Sequence, residues 1–186
     1  ADCHMPYVSE GGVKYTSHHL QSPLNSVSTT CAVCHRQSEE ELKKNVYERQ
    51  DKIQELRNSL EENLVKAHYE AKAAWDANAS EEMMKPALEL IREAQWRWDF
   101  ATASHGGSFH APLEVARILA NGIDKSQQAR IELSRLLTTL NVARVVYPDV
   151  STKEKAQEAI GLNMTAIGKE KQEFKNVILP VWDQKK

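Results

Sequence analysis

Apolar side chains recur at steps of three, four or seven residues over most of this chain, and that spacing predicts helices. The longest series is Leu42, Val46, Ile53, Leu56, Leu60, Leu64, Ala67, Ala71 and Trp75, with Glu, Lys, Arg and Gln between its members. Ser38 and Glu41 stand before it as a capping box, so the pattern predicts one helix running to about Asn78. A stripe of that length packs against several shorter helices or pairs with a copy of itself. Ser80 caps a second helix through Leu90, Ile91, Ala94, Trp98 and Ala101 to about His105, its regular part starting nearer Pro86. Gly106-Gly107 stops it. A third runs from Pro112 to about Leu140, with Ile118, Leu119, Ile123, Leu133, Leu136, Leu137 and Leu140 on its apolar side and Gly122 as a mild interruption. Residues 141–150 read as extended, with Pro148 barring helix. Ser151 and Glu154 make a second capping box for a short helix ending at Gly161, and a last helix runs from Met164 to about Val177, ended by Pro180.

Residues 1–36 show no such period and read as loop with short turns, interrupted by Pro6, Gly11-Gly12 and Pro23. No strand-type alternation lasts more than a few residues anywhere, so the expected class is all-α. With a net charge of −2 there is no basic surface to argue for a nucleic-acid partner. Charged residues at 27% and aromatics at 6% suit solvated helices. No apolar run approaches the roughly 20 residues of a membrane span, and no signal peptide is visible.

The chemistry sits in the stretch without periodicity. Cys31-Ala32-Val33-Cys34-His35 is a complete C-x-x-C-H haem-attachment signature. Each thiol can form a thioether to one vinyl group of the same haem, and the histidine after the second thiol is then held under the iron. Cys3-His4 reads as the tail of a second such motif whose first cysteine would stand one residue before the chain begins. That accounts for an odd cysteine count and leads us to expect a longer polypeptide, truncated at its N-terminus. A zinc site is the weaker reading, because Cys3 is alone and no finger-spaced histidine pair follows. A thioredoxin-like pair would want a βαβ context in place of the long helix that follows. Four of the seven histidines, His4, His18, His19 and His35, lie in this stretch, as expected of a segment that wraps cofactors. His110, between two predicted helices and beside Gly106-Gly107, is a further candidate iron ligand. Met83-Met84 reads as core filler, and His68, mid-helix, as structural.

Haem motif, loop histidine, haem motif and then long helices with a ligand loop between them resembles the pentahaem cytochrome c nitrite reductases. The strings Cys3-His4-Met5-Pro6, Tyr15-Thr16-Ser17-His18, Gln95-Trp96-Arg97-Trp98-Asp99, Ser104-His105-Gly106, His110-Ala111-Pro112 and Ser151-Thr152-Lys153-Glu154-Lys155-Ala156 carry the likeness over essentially the whole chain. It corresponds to the C-terminal part of that family from its fourth haem motif onward. The resemblance implies that Cys3 and His4 attach and ligate the fourth haem, with His110 as its distal ligand. It implies that Cys31, Cys34 and His35 serve the fifth haem, and that His18 is distal ligand to a second haem whose own motif lies upstream. His19 is the rival to His18, and the Tyr-Thr-x-His string favours His18. Sites with two histidines are six-coordinate, which suits electron transfer and closes them to substrate.

By the same resemblance, the parent is a periplasmic enzyme that reduces nitrite to ammonia with six electrons, at a haem held by a lysine in C-x-x-C-K. That motif and the arginine, tyrosine and histidine above its iron are absent here, as are ligands for the calcium expected beside it. Tyr7 follows a haem histidine by three residues, as the family's active-site tyrosine does. The glutamate that precedes the tyrosine there is Pro6 here, so Tyr7 is not expected to be catalytic. The expected organisation is a haem-binding region, residues 1–37, followed by a long-helix region, residues 38–186, with the distal-ligand loop at 105–111, both parts of one larger domain. The resemblance also implies a homodimer built on the long helices. The electron donor is then a quinol-oxidising membrane cytochrome or a soluble multihaem cytochrome. The alternative functions are a non-catalytic multihaem electron carrier and a haem-free helical interaction module.

Overall fold

A computed structural model describes residues 3–183. Its architecture is all-α apart from one small hairpin, as the periodicity predicts. Helix α1 (Glu39–Asp76) begins at the capping box: the Ser38 amide donates to Glu41 Oε2 at 2.9 Å and the Glu41 amide donates to Ser38 Oγ at 3.2 Å. The Ser38 amide, and after it the Ser38 hydroxyl donating to the same oxygen at 3.0 Å, hold the Glu41 carboxyl below its ordinary range. Three glutamates fill the first turn, where the helix dipole favours negative charge. Helix α2 (Glu81–Ala103) starts on Ser80, whose Oγ accepts from the Met83 amide at 3.3 Å. It begins well before Pro86. The carbonyl that Pro86 leaves without a partner is that of exposed Glu82, so an early proline costs little. A one-turn helix α3 (Gly107–His110) follows, and Pro112 opens α4 (Pro112–Thr139).

The three long helices meet along seams spaced three and four residues apart. On α1 the buried positions are Leu60, Leu64, Ala67, Glu70, Ala71 and Ala74, and on α4 Val115, Leu119, Gly122, Ser126, Ala129, Leu133 and Leu137. Helix α2 contributes Met84, Ala87, Ile91, Ala94 and Ala101. Alanine, glycine and serine at so many seam positions let the backbones approach closely. Gly122 is therefore a packing device: a Cβ there would stand 2.6 Å from Leu60 Cδ2. Trp75 stays 40% exposed, and Ala74 takes the inward position in its place. Polar ties cross the same interfaces. Arg130 on α4 donates from Nε and Nη2 to Glu70 Oε1 at 3.0 and 2.9 Å, and from Nη1 to Asn63 Oδ1 at 3.2 Å. Lys125 reaches Glu93 on α2 at 2.8 Å, and that hydrogen bond holds the Glu93 carboxyl below its ordinary range.

The N-terminal stretch departs from the loop expectation. Strands β1 (Tyr7–Glu10) and β2 (Val13–Thr16) pair antiparallel, Tyr7 opposite Thr16. Gly11 and Gly12 have φ of +57° and +82°, the backbone that a tight two-residue hairpin turn requires. The pair that reads as a breaker is thus the turn itself. Beyond the hairpin come three-ten turns at Pro23–Asn25 and Cys31–Val33. Across residues 3–37 only Val27 and Thr30 are buried.

The chain divides into two compact units, Ala1–Ala143 and Arg144–Lys186. In the second, α5 (Lys153–Ala159) is capped by Thr152, whose Oγ1 accepts from the Lys155 amide at 3.3 Å. Ser151 is one position too early, and its amide instead donates to Asp149 Oδ1 at 2.9 Å. With Lys155 also bound at its other oxygen, the Asp149 carboxyl is pushed far below its ordinary range, the lysine being the larger cause. Helix α6 (Met164–Glu173) does not stop at Pro180. It widens into a π-type turn at Phe174–Ile178 and continues as α7 (Leu179–Asp183). Widening to i+5 hydrogen bonds accommodates a residue that lacks an amide hydrogen and crowds the preceding turn.

Candidate haem site

The C-x-x-C-H segment folds as one tight turn. The Cys34 amide donates to the Cys31 carbonyl at 3.2 Å, and the His35 amide donates to the same oxygen at 2.9 Å. Positions 31, 34 and 35 are thereby brought to one side of a single turn, the spacing that lets two thiols and an imidazole address one flat ligand. Its entry is fixed by Thr30, whose hydroxyl lies 2.9 Å from the Ser26 carbonyl and 3.1 Å from that of Pro23. Cys3, Cys31 and Cys34 are all free thiols, so none is consumed in a disulfide. Cys31 is half-buried, and Cys34 and His35 are exposed.

The second motif's tail is better furnished. His4, just before the hairpin, and His110, at the end of α3, are far apart in sequence, yet their ring centroids lie 6.0 Å apart with planes tilted by 42°. Two imidazoles on opposite sides of one iron, each with a metal–nitrogen bond of about 2 Å, put their ring centres about 6 Å apart. The pair therefore fits a bis-histidine iron. His4 Nδ1 stands 3.3 Å from the Gln21 carbonyl oxygen. A carbonyl only accepts, so this contact selects the tautomer protonated at Nδ1 and leaves the Nε2 lone pair for metal.

His110 is held from three sides. Its amide donates to the Gly106 carbonyl at 2.9 Å. A Cβ at Gly106 would come within 3.0 Å of His110 Cδ2, so glycine makes room for the ring. Phe109 packs edge-on at 5.4 Å, and Arg49 of α1 lies 5.8 Å over the Phe109 ring. Neither Arg49 nor the Gln21 carbonyl is visible in the sequence, because both depend on how distant segments meet.

The remaining sequence candidates are not paired within the described residues. His18, His19 and His68 are exposed, and the one histidine–histidine ring contact among the described residues is that of His4 with His110. Met84 is fully buried in the core, as expected of a filler, while Met83 is 44% exposed. Tyr7 is exposed, with Lys14 Nζ 4.7 Å from its ring centroid. Ala1 and Asp2, which precede Cys3 in the clipped motif, lie outside the described residues. Among the described residues no group of three or more His, Cys, Asp or Glu could hold a bare metal ion. A haem needs only two ligands from the protein, since the porphyrin supplies four.

Thiols on one turn with a histidine, beside a histidine pair at iron-bridging separation, are the protein half of a c-type cytochrome. The chain belongs to the cytochrome c552 family, whose family model matches residues 1–186. It is 60% identical over 183 residues to the cytochrome c-552 of Parabacteroides distasonis, 98% of this chain and 37% of that protein. The cytochrome c-552 of Porphyromonas gingivalis is 56% identical over 186 residues, covering this whole chain and 37% of that protein. For Bacteroides thetaiotaomicron the figures are 57% identity, the whole chain and 38%. The chain thus spans a little over a third of the length of these relatives. Covalently bound haem c is the cofactor that membership implies.

Proposed function

We propose that this chain is the C-terminal portion of a periplasmic cytochrome c nitrite reductase that reduces nitrite to ammonia with six electrons. Its share of the work is to carry bis-histidine haems that relay electrons to a catalytic haem upstream. The observation that carries the reading is the meeting of His4 and His110 at 6.0 Å. The family resemblance pairs these two as the ligands of one iron, and the helical fold brings them together from opposite ends of a long stretch of chain.

Haem iron, cycling between ferric and ferrous, supplies the one-electron chemistry. Every other part belongs to the chain. Cys3, Cys31 and Cys34 would fix porphyrins covalently, and His4, His35, His18 and His110 would serve as axial ligands. The Gln21 carbonyl would set the His4 tautomer and raise its basicity as a ligand. No residue of this chain is assigned to catalysis, and calcium in the parent enzyme would be held by residues other than these. The long helices would form a homodimer contact with two-fold symmetry, and the donor would be a quinol-oxidising or soluble multihaem cytochrome.

The test is intact-mass spectrometry and nitrite turnover on the full-length protein. The expected result is a mass that includes several whole haem units and ammonium formed at six electrons per nitrite. A haem-loaded protein with no nitrite turnover and no upstream C-x-x-C-K would establish the alternative, a multihaem electron carrier. A colourless protein at bare polypeptide mass would overturn both.

A further inference from the structure

A cavity of about 320 Å³ opens between α1 and the end of α2, against the loop that leads to His110. Its polar lining includes Gln50, Gln54 and Arg57 on α1 and Thr102, Ser104, His105 and Ser108 across from them. No aspartate or glutamate lines it. Arg57 is a permanent cation, and it takes part in none of the ion pairs found among the described residues. One of its five N–H donors is taken by Gln54 Oε1, which holds the half-buried guanidinium in place. Thr102 Oγ1 is buried and has no hydrogen-bond partner among the described residues. A helical threonine ordinarily satisfies its hydroxyl on the carbonyl one turn back, as Thr138 does on Ser134 at 2.8 Å. The buried hydroxyl is costly without a partner, the guanidinium beside it is paired to no carboxylate, and one kind of ligand would serve both.

We propose that this cavity is an oxyanion site, taking a carboxylate or a small tetrahedral anion, with Arg57 supplying the charge and Thr102 Oγ1 a directed hydrogen bond. Carboxylates and phosphates match the fork of an arginine, and the amide and hydroxyl donors around it serve the remaining lone pairs. The anion has two possible sources. One is a free oxyanion from solution. The other is a propionate of the haem that His110 would ligate, and this source rests on the haem reading above. His105, Gly106 and Ser108 join the cavity to the His110 loop, so the two sites share a wall.

The experiment uses the full-length protein in three forms: wild type, R57Q and T102V, with R57K as the control that keeps the charge. The free-anion arm measures the thermal midpoint against sulfate at constant ionic strength set with chloride. A saturable rise in wild type, weakened at least tenfold in R57Q and less in T102V, identifies a solution oxyanion. The propionate arm measures haem reduction potentials by spectroelectrochemistry. A single haem whose potential falls in R57Q and is kept in R57K identifies the propionate, because losing a nearby cation favours the ferric form. If R57Q does not fold, T102V decides the sulfate arm by a weakened rise, and in the propionate arm it should lower the potential of the same single haem by a smaller amount, because the propionate charge loses a hydrogen bond that offset it. Variants that match wild type in both arms overturn the proposal. A protein without haem would fail the cytochrome reading while leaving the sulfate arm intact, so the two failures are separable.

Discussion

Residues 39–139 and residues 3–37 hold their shape by different means. The helical part is closed by its own side chains: Leu60, Leu119 and Leu133 are 0% exposed and lie along seams thinned by alanine and glycine. The N-terminal part buries Val27 and Thr30 alone, and its order comes from hairpin, turn and carbonyl hydrogen bonds. Yet it carries all three cysteines and four of the seven histidines. A stretch with so little apolar burial contributes little hydrophobic stabilisation of its own. The difference teaches that the helices are closed by side-chain packing, while the ligand segment takes its order from backbone hydrogen bonds and leaves most of its thiols and imidazoles exposed.

The contrast predicts where mutations bite. Leu60→Ala removes a fully buried side chain from the seam and is expected to cost about 2–5 kcal/mol in urea unfolding. The cost should be at the low end if α4 can settle into the space beside Gly122. An equal loss from truncating exposed Leu20, 73% exposed in the ligand segment, would break the comparison. Arg130→Met should cost about 3 kcal/mol, because it leaves the Glu70 carboxylate in the helix interface without its guanidinium. Replacing both residues by apolar ones of similar size should recover most of that loss in a double-mutant cycle.

Ser38→Ala is the smallest of these, about 1 kcal/mol for a lost N-cap, read from the thermal midpoint. Its pH dependence sharpens the assignment. The folded-state pKa of Glu41 is depressed, so the stability it contributes is fully present above its ordinary carboxylate value. That stability is lost as pH falls through the lower folded value. The gap between wild type and S38A should therefore narrow without closing as pH drops below about 4.5, because protonation removes the hydroxyl–carboxylate bond that only wild type has, while the cap on the Glu41 amide remains. A constant gap across that range would exclude the Ser38 hydroxyl as a partner of the Glu41 carboxylate.

The frame was largely legible in sequence because caps and period are local signals. Ser38, Glu41, Ser80 and Pro112 mark helix starts that the structure keeps. The failures are also local. Gly11-Gly12 interrupts a helix and equally makes a hairpin turn, and only the pairing of its flanks decides between them. Pro180 stops an α-helix yet is tolerated after a widened turn, and Thr152 displaces Ser151 as cap by a shift of one residue. The Glu70–Arg130 tie, the Gly122–Leu60 contact and the Arg49–Phe109 contact were not legible, since each needs the relative register of two helices. For the site, the C-x-x-C-H turn is legible in the sequence by itself, whereas the pairing of His4 with His110 enters only through the family resemblance, and it takes the fold to bring the two rings to 6.0 Å.

That meeting is the claim to test, by recording absorption and EPR spectra of the full-length His110→Ala variant. The account predicts that one haem stays covalently attached but turns from low spin to high spin and binds an added ligand such as imidazole, with the other haems unchanged. A variant whose haems all remain low spin and closed to imidazole would contradict the pairing of His4 with His110.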